Sequence, residues 1–126
     1  MKPEEFGKFV REVQPGLDVF TRSWFDPTHD RDHDGFPEWD HSLQTGLEDN
    51  PLFTVWQADG QGAEISVTES PALASLLLRE ARAQAHIAAA LDQPGNSSRW
   101  DLESERLRLL TEECWDANAV LYHLRD

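Results

Sequence analysis

The chain has 126 residues, with 24 acidic side chains against 11 basic ones and a formal charge of −13. An apolar share of 39 % and five Trp set it apart from a disordered acidic tail. The length fits one domain, and the charge excludes a protein whose own surface wraps nucleic acid or an anionic membrane.

The N-terminus, MKPEEFGKFV, lacks the basic start and apolar run of a secretory signal, and the longest unbroken apolar run, residues 87–91, is far short of a membrane span. The single cysteine, Cys114, rules out an intrachain disulfide. The simplest compartment is the cytoplasm. The charge is concentrated: residues 26–50 carry one basic and eight acidic side chains, a sum of −7.

In chain order, Pro3, Glu4 and Glu5 suit the first turn of a helix, where Pro fits and acids meet the positive end of the dipole. Phe6, Phe9, Val10 and Val13 follow on one helical face. Pro15-Gly16 predicts a break, and Leu17, Phe20 and Trp24 a second helix. Residues 26–36 read as a loop. A short helix is expected to carry Trp39, Leu43 and Leu47 and to end at Asn50-Pro51. Residues 52–58 are rich in strand formers, 59–62 read as a turn, and 63–68 alternate, so one β-hairpin is expected. Ser70-Pro71 is a helix start. Leu73, Leu76, Leu77, Ala81, Ile87, Ala88 and Leu91 line one side of it, and Glu80 and Gln84 interrupt that stripe. Residues 94–97, Pro-Gly-Asn-Ser, are the expected connector. The last helix is predicted from Leu107, Leu110, Cys114, Ala117, Leu121 and Leu124, an apolar seam. Two helices joined by a short loop should pack as an antiparallel hairpin. The expected class is mainly α.

The loop carries a pattern with chemical content. Asp30, Asp32 and Asp34 alternate and Gly35 follows, the opening of a 12-residue Ca²⁺ loop. Carboxylates at positions 1, 3 and 5 converge because the chain wraps around the ion, and the glycine permits the sharp turn. Phe36 would add its carbonyl at position 7, and Glu38 would ligate at position 9 directly or through water. Position 12, normally a bidentate Glu, is His41, and another part of the fold could supply that ligand instead. The competing reading is a solvated acidic loop whose Asp and Gly residues serve turns. His29, His33 and His41 raise a third option, a transition-metal site, but no H-E-x-x-H motif accompanies them.

The run from Gln44 to Pro51, Gln-Thr-Gly-Leu-Glu-Asp-Asn-Pro, resembles the E-S-G-x-D-N-S-P motif of (α/α)6-barrel glycoside hydrolases of the trehalase and processing α-glucosidase kind. Gly46 and Pro51 match, Gln44 and Thr45 replace Glu and Ser, and Glu48 stands at the family's catalytic Asp. Residues 6–35 look like the helix, proline, helix and D-x-D-G loop that precede the motif. Residues 77–81 and Arg99-Trp100 look like a barrel helix and its connector, and Trp115-Asp116 with Tyr122 looks like the ending of the next helix. The resemblance implies helical hairpins of the barrel type, about two of six, so residues 1–126 would form one unit that is an incomplete part of a larger domain. It implies an inverting hydrolase of α-glucosides, in which a carboxylic acid protonates the leaving oxygen and a second carboxylate activates water roughly 6.5–9.5 Å away. Glu48 is the general-acid candidate, with Asp49 next to it. Trp39 would stack on a sugar, and Gln44 and Asn50 would hydrogen-bond its hydroxyls. The general base has no counterpart in this chain, so such a piece would be inactive or weak alone and would need the rest of a barrel, or self-association, to cover its helix faces.

Two further readings stand beside it. One is a non-enzymatic acidic protein that captures a basic protein partner through residues 26–49. The other is a calcium-binding module using the 30–41 loop.

Overall fold

The computed structural model describes residues 2–46 and 64–125. Among these, three α-helices dominate: α1 (Pro3–Ser23), α2 (Pro71–Ala90) and α3 (Pro94–Glu113). Two short strands, β1 (Trp115–Asp116) and β2 (Leu121–Tyr122), pair antiparallel after α3. The mainly-α expectation holds. No helix among the described residues is long and apolar enough to cross a membrane.

Helix α1 starts as its sequence dictates, with Pro3 in the first turn and the Glu5 carboxylate accepting from the Lys2 backbone N at 2.9 Å. The expected break at Pro15-Gly16 does not occur, because α1 runs through Pro15. A proline removes one amide bond and crowds the preceding turn, at a typical cost of about 3 kcal/mol. Tertiary contacts on one flank of the helix offset it. Val10, Gln14, Asp18 and Thr21 are buried there, while Phe6, Phe9 and Phe20 stay more than half exposed. Of the apolar face read from the sequence, Val10 packs, while Phe6 and Phe9 stay largely exposed.

Helices α2 and α3 form the expected hairpin, joined by residues 91–93. The helix begins at Pro94 itself, so residues 94–97 are its first turn and not a connector. Proline suits that position because its missing N–H has no partner there anyway. Asp92, at φ 55°, makes the reversal. The stripe of α2 buries Leu73, Leu77, Ala81 and Ala88, and Gln84 with them. The Gln84 amide donates to Glu80 Oε1 at 3.2 Å and to Thr21 Oγ1 at 3.4 Å, which ties α2 to α1.

The predicted seam holds through Leu107 and Cys114, both fully buried, and then stops. The helix ends at Glu113, so Ala117, Leu121 and Leu124 do not extend it. The cause is local. Asp116 accepts backbone N–H bonds from Asn118 at 2.8 Å and Ala119 at 3.0 Å, and such a side chain competes with the helix for its own amides. The chain turns back and stacks Trp115 against Tyr122 with ring centroids 5.0 Å apart.

Two smaller expectations are also corrected. Residues 65–67 form a 3-10 turn and no strand; Thr68 Oγ1 and Ser66 Oγ both bond back to Glu64, at 2.6 Å each. Of the short helix expected to carry Trp39, Leu43 and Leu47, the described part is a 3-10 turn, Ser42–Thr45, followed by Gly46 in the left-handed region; residues 47–51 lie outside the described residues. Residues 52–63 of the expected hairpin lie outside the described residues. The core is Trp39, Leu73, Leu77, Ala81, Ala85, Trp100 and Leu107, with Phe36, Ala74 and Cys114 as an adjoining cluster.

Candidate metal centre

The loop between α1 and the Ser42–Thr45 turn is shaped by its own aspartates. Asp30 Oδ2 accepts from Gly35 N at 3.1 Å, Asp32 Oδ1 from Asp34 N at 3.3 Å, and Asp34 Oδ1 from Phe36 N at 2.7 Å. His33 at φ 64° and Gly35 at φ 87° curl the chain between them. One carboxylate oxygen from each of Asp30, Asp32 and Asp34 lies within 4.8 Å of the others. These three residues could hold a metal ion. Asp30 is buried, and its Oδ1 has no hydrogen-bond partner among the described residues.

The loop is clamped from two sides. Arg106 of α3 donates through Nη1 to the Gly35 carbonyl, pairs with Glu103 and lies 5.1 Å over the Phe25 ring. The Phe36 ring is fully buried, so the backbone at the seventh loop position is pinned. A cleft of about 590 Å³ opens beside the loop, and its lining includes Arg22, Arg99 and Arg106 as well as Asp30, His33 and Asp34.

The remaining predicted site residues fall in several places. Glu38 is buried and is not one of the three carboxylates within 4.8 Å of one another; its Oε2 accepts from Arg31 N at 3.2 Å and lies 3.4 Å from Arg31 Nη1. Burial pushes its carboxyl above the usual carboxylate range, and the neighbouring Asp32 charge adds to that. Trp39 packs in the core at 5 % exposure. The Gln44 side chain is engaged locally: its carbonyl accepts from Asp40 N at 2.6 Å, and its amide donates to Asp40 Oδ2 at 2.7 Å. That hydrogen bond from Gln44, ahead of the one from Arg31, holds the Asp40 carboxyl below its usual range. His29 Nδ1 sits 3.3 Å from Asp40 Oδ2 and its ring stacks on Trp24, while His33 and His41 are exposed. The described carboxylate cluster contains no histidine. Glu48, Asp49 and Asn50 lie outside the described residues.

Two residues at this site carry no local sequence signal. Glu69 is 2 % exposed and forms a backbone bridge with Glu38 on one side and with Arg125 on the other. Its carboxyl is pushed up to about 7, first by burial and next by the charge of Asp34, against the pull of Arg125. Arg125 reaches three acids: Glu69 Oε2 at 3.0 Å, Glu113 Oε2 at 2.8 Å and Asp34 Oδ2 at 3.6 Å. A lone Glu before Ser70-Pro71 and an Arg near the end of the chain give no spacing to read; only the fold brings them to the loop.

No protein-family model, no curated protein and no solved structure matches the chain.

Proposed function

We propose that this chain is a calcium-binding module, with Asp30, Asp32 and Asp34 as side-chain ligands, the Phe36 carbonyl as a further oxygen, and Glu38 acting at longer range. One observation carries the reading: three carboxylates converge within 4.8 Å around a buried Asp30 oxygen that has no hydrogen-bond partner among the described residues. Ligands of one Ca²⁺ at about 2.4 Å can stand no more than about 4.8 Å apart, a condition these three oxygens meet. An all-oxygen donor set favours a hard cation over zinc or copper. A buried carboxylate oxygen left without a partner is costly, and a cation relieves that cost.

The test is a melting curve and a calorimetric titration with Ca²⁺ against chelator. At a hundredfold excess over the dissociation constant the ion should add about 2.7 kcal/mol of stability. Asp30→Asn should abolish both the heat and the shift. Neither heat nor shift with millimolar Ca²⁺ would sink the proposal.

A further inference from the structure

The loop lacks a carboxylate at its twelfth position, where His41 stands exposed. A Ca²⁺ site usually ends on a bidentate acid, because six to eight oxygens are needed and three aspartates with one carbonyl fall short. We propose that Glu69, outside the loop, supplies the closing carboxylate, and that Arg125 holds that place until the ion arrives. This rests on the cation reading of residues 30–38.

Geometry carries the assignment. Glu69 is almost fully buried, and Arg125 pairs with both its carboxylate and that of Asp34. Its Oε2 has no aligned hydrogen-bond donor among the described residues, although Arg125 Nε lies 3.0 Å away as an ion pair. Each of two neighbouring carboxylates raises the cost of ionising the other, and in the ion-free protein Arg125 is the cation paired with both. The backbone fixes Glu69 in that position. Glu69 N donates to Arg125 O at 2.9 Å and Arg125 N to Glu69 O at 3.1 Å, and a bridge to Glu38 ties the same residue to the loop. Main-chain pairing on both sides sets the backbone of Glu69 before any ion binds, and Arg125 Nε holds its carboxylate at 3.0 Å.

Arg125 is a weak occupant of that position. Its Nη2 stands 3.6 Å from Asp34 Oδ2, beyond hydrogen-bond length, whereas its Nη1 is well bonded to Glu113 at 2.8 Å and its guanidinium lies 5.5 Å over the Phe36 ring. A divalent ion brings twice the charge in a smaller volume. It displaces the guanidinium from Asp34 and Glu69, while Glu113 and the backbone pairing retain the arginine nearby. Ion binding and the seating of residue 125 are thereby linked in opposite senses.

The prediction is two variants with opposite signs, read by calorimetric Ca²⁺ titration of the full chain. Glu69→Gln should weaken Ca²⁺ by roughly tenfold or more, as loss of one ligand charge does in such sites. Arg125→Gln should tighten Ca²⁺ by several fold while lowering the melting temperature in chelator. If wild type binds Ca²⁺ and Glu69→Gln binds it equally well, the assignment of Glu69 is overturned and the loop reading stands. If Arg125→Gln weakens Ca²⁺, the exchange is overturned. If wild type takes no Ca²⁺, the loop reading itself fails and this inference with it. Should Glu69→Gln not fold, Glu69→Asp decides: its arm is one methylene short, so a folded protein with reduced affinity supports the assignment and unchanged affinity overturns it.

Discussion

The indole Nε1 of Trp100 donates to Asp18 Oδ1 at 2.9 Å, a buried bond between residues 82 positions apart. Arg22 and Arg99 pair with the same carboxylate. Asp18 therefore fastens α1 to the hairpin of α2 and α3 through a polar contact in a largely apolar setting. Asp18→Ala would leave the Trp100 N–H buried without an acceptor, and such a loss costs about 1–3 kcal/mol. Asp18→Asn keeps an acceptor oxygen and should cost less. Urea denaturation of the two variants measures the difference. An Asp18→Ala protein within 0.5 kcal/mol of wild type would mean that α1 is held by other contacts.

Gly35 is the second point where the fold depends on one residue. Its φ of 87° suits glycine, and an added Cβ would lie 2.5 Å from Arg106 Nη1. The arginine tip can move, so the backbone term dominates, and Gly35→Ala should cost about 1–3 kcal/mol. It should also weaken Ca²⁺, because the Gly35 amide orients Asp30 Oδ2. Gly46, at φ 67° with open space around it, is the control: Gly46→Ala should carry the backbone cost and leave Ca²⁺ affinity alone. Equal affinities for the two variants would remove the loop from the ion site.

The helices and the aspartate loop were legible because both are local. Period, proline position and the D-x-D-x-D-G spacing are short-range signals, and they placed α2, the start of α1 and the Asp30, Asp32, Asp34 cluster. Three features defeated that kind of reading. The face of α1 that packs is Val10, Gln14, Asp18 and Thr21, tied by hydrogen bonds to Gln84 and Trp100, whereas Phe6 and Phe9, read from the sequence beside Val10, stay largely exposed. The end of α3 was set by the side chain of Asp116, which an apolar repeat does not register. Glu69 and Arg125 reach the site through backbone bridges between distant segments, for which sequence spacing holds no cue.

Cys114 offers a probe of that packing. It is fully buried in the cluster of Phe36 and Ala74, and burial pushes its thiol upward. The thiolate is the reactive form, so both access and ionisation are suppressed in the native state. A thiol reagent at neutral pH should label the folded protein far more slowly than the chain in guanidinium. Prompt labelling without denaturant would show that the end of α3 opens readily.

The ion-free protein should lose stability as pH rises through the weakly acidic range. The Glu69 carboxyl sits near 7 in the folded chain against 4.5 for the ordinary group, and that of Glu38 is also raised. Below pH 4.5 both folded and unfolded chains hold these protons, and the groups contribute nothing to the difference. Between 4.5 and about 7 the unfolded chain releases the Glu69 proton while the folded chain keeps it. The native state then binds more protons, so its stability falls with each step upward and levels off above 7. Melting temperatures in chelator at pH 5 and pH 8 test the sign, with the lower pH expected to give the higher value from these two groups. Glu69→Gln cannot ionise, so it should flatten most of the slope and raise stability at pH 8. A wild-type curve that rises from pH 5 to pH 8, with Glu69→Gln following it in parallel, would mean that Arg125 holds Glu69 ionised at pH 5 already.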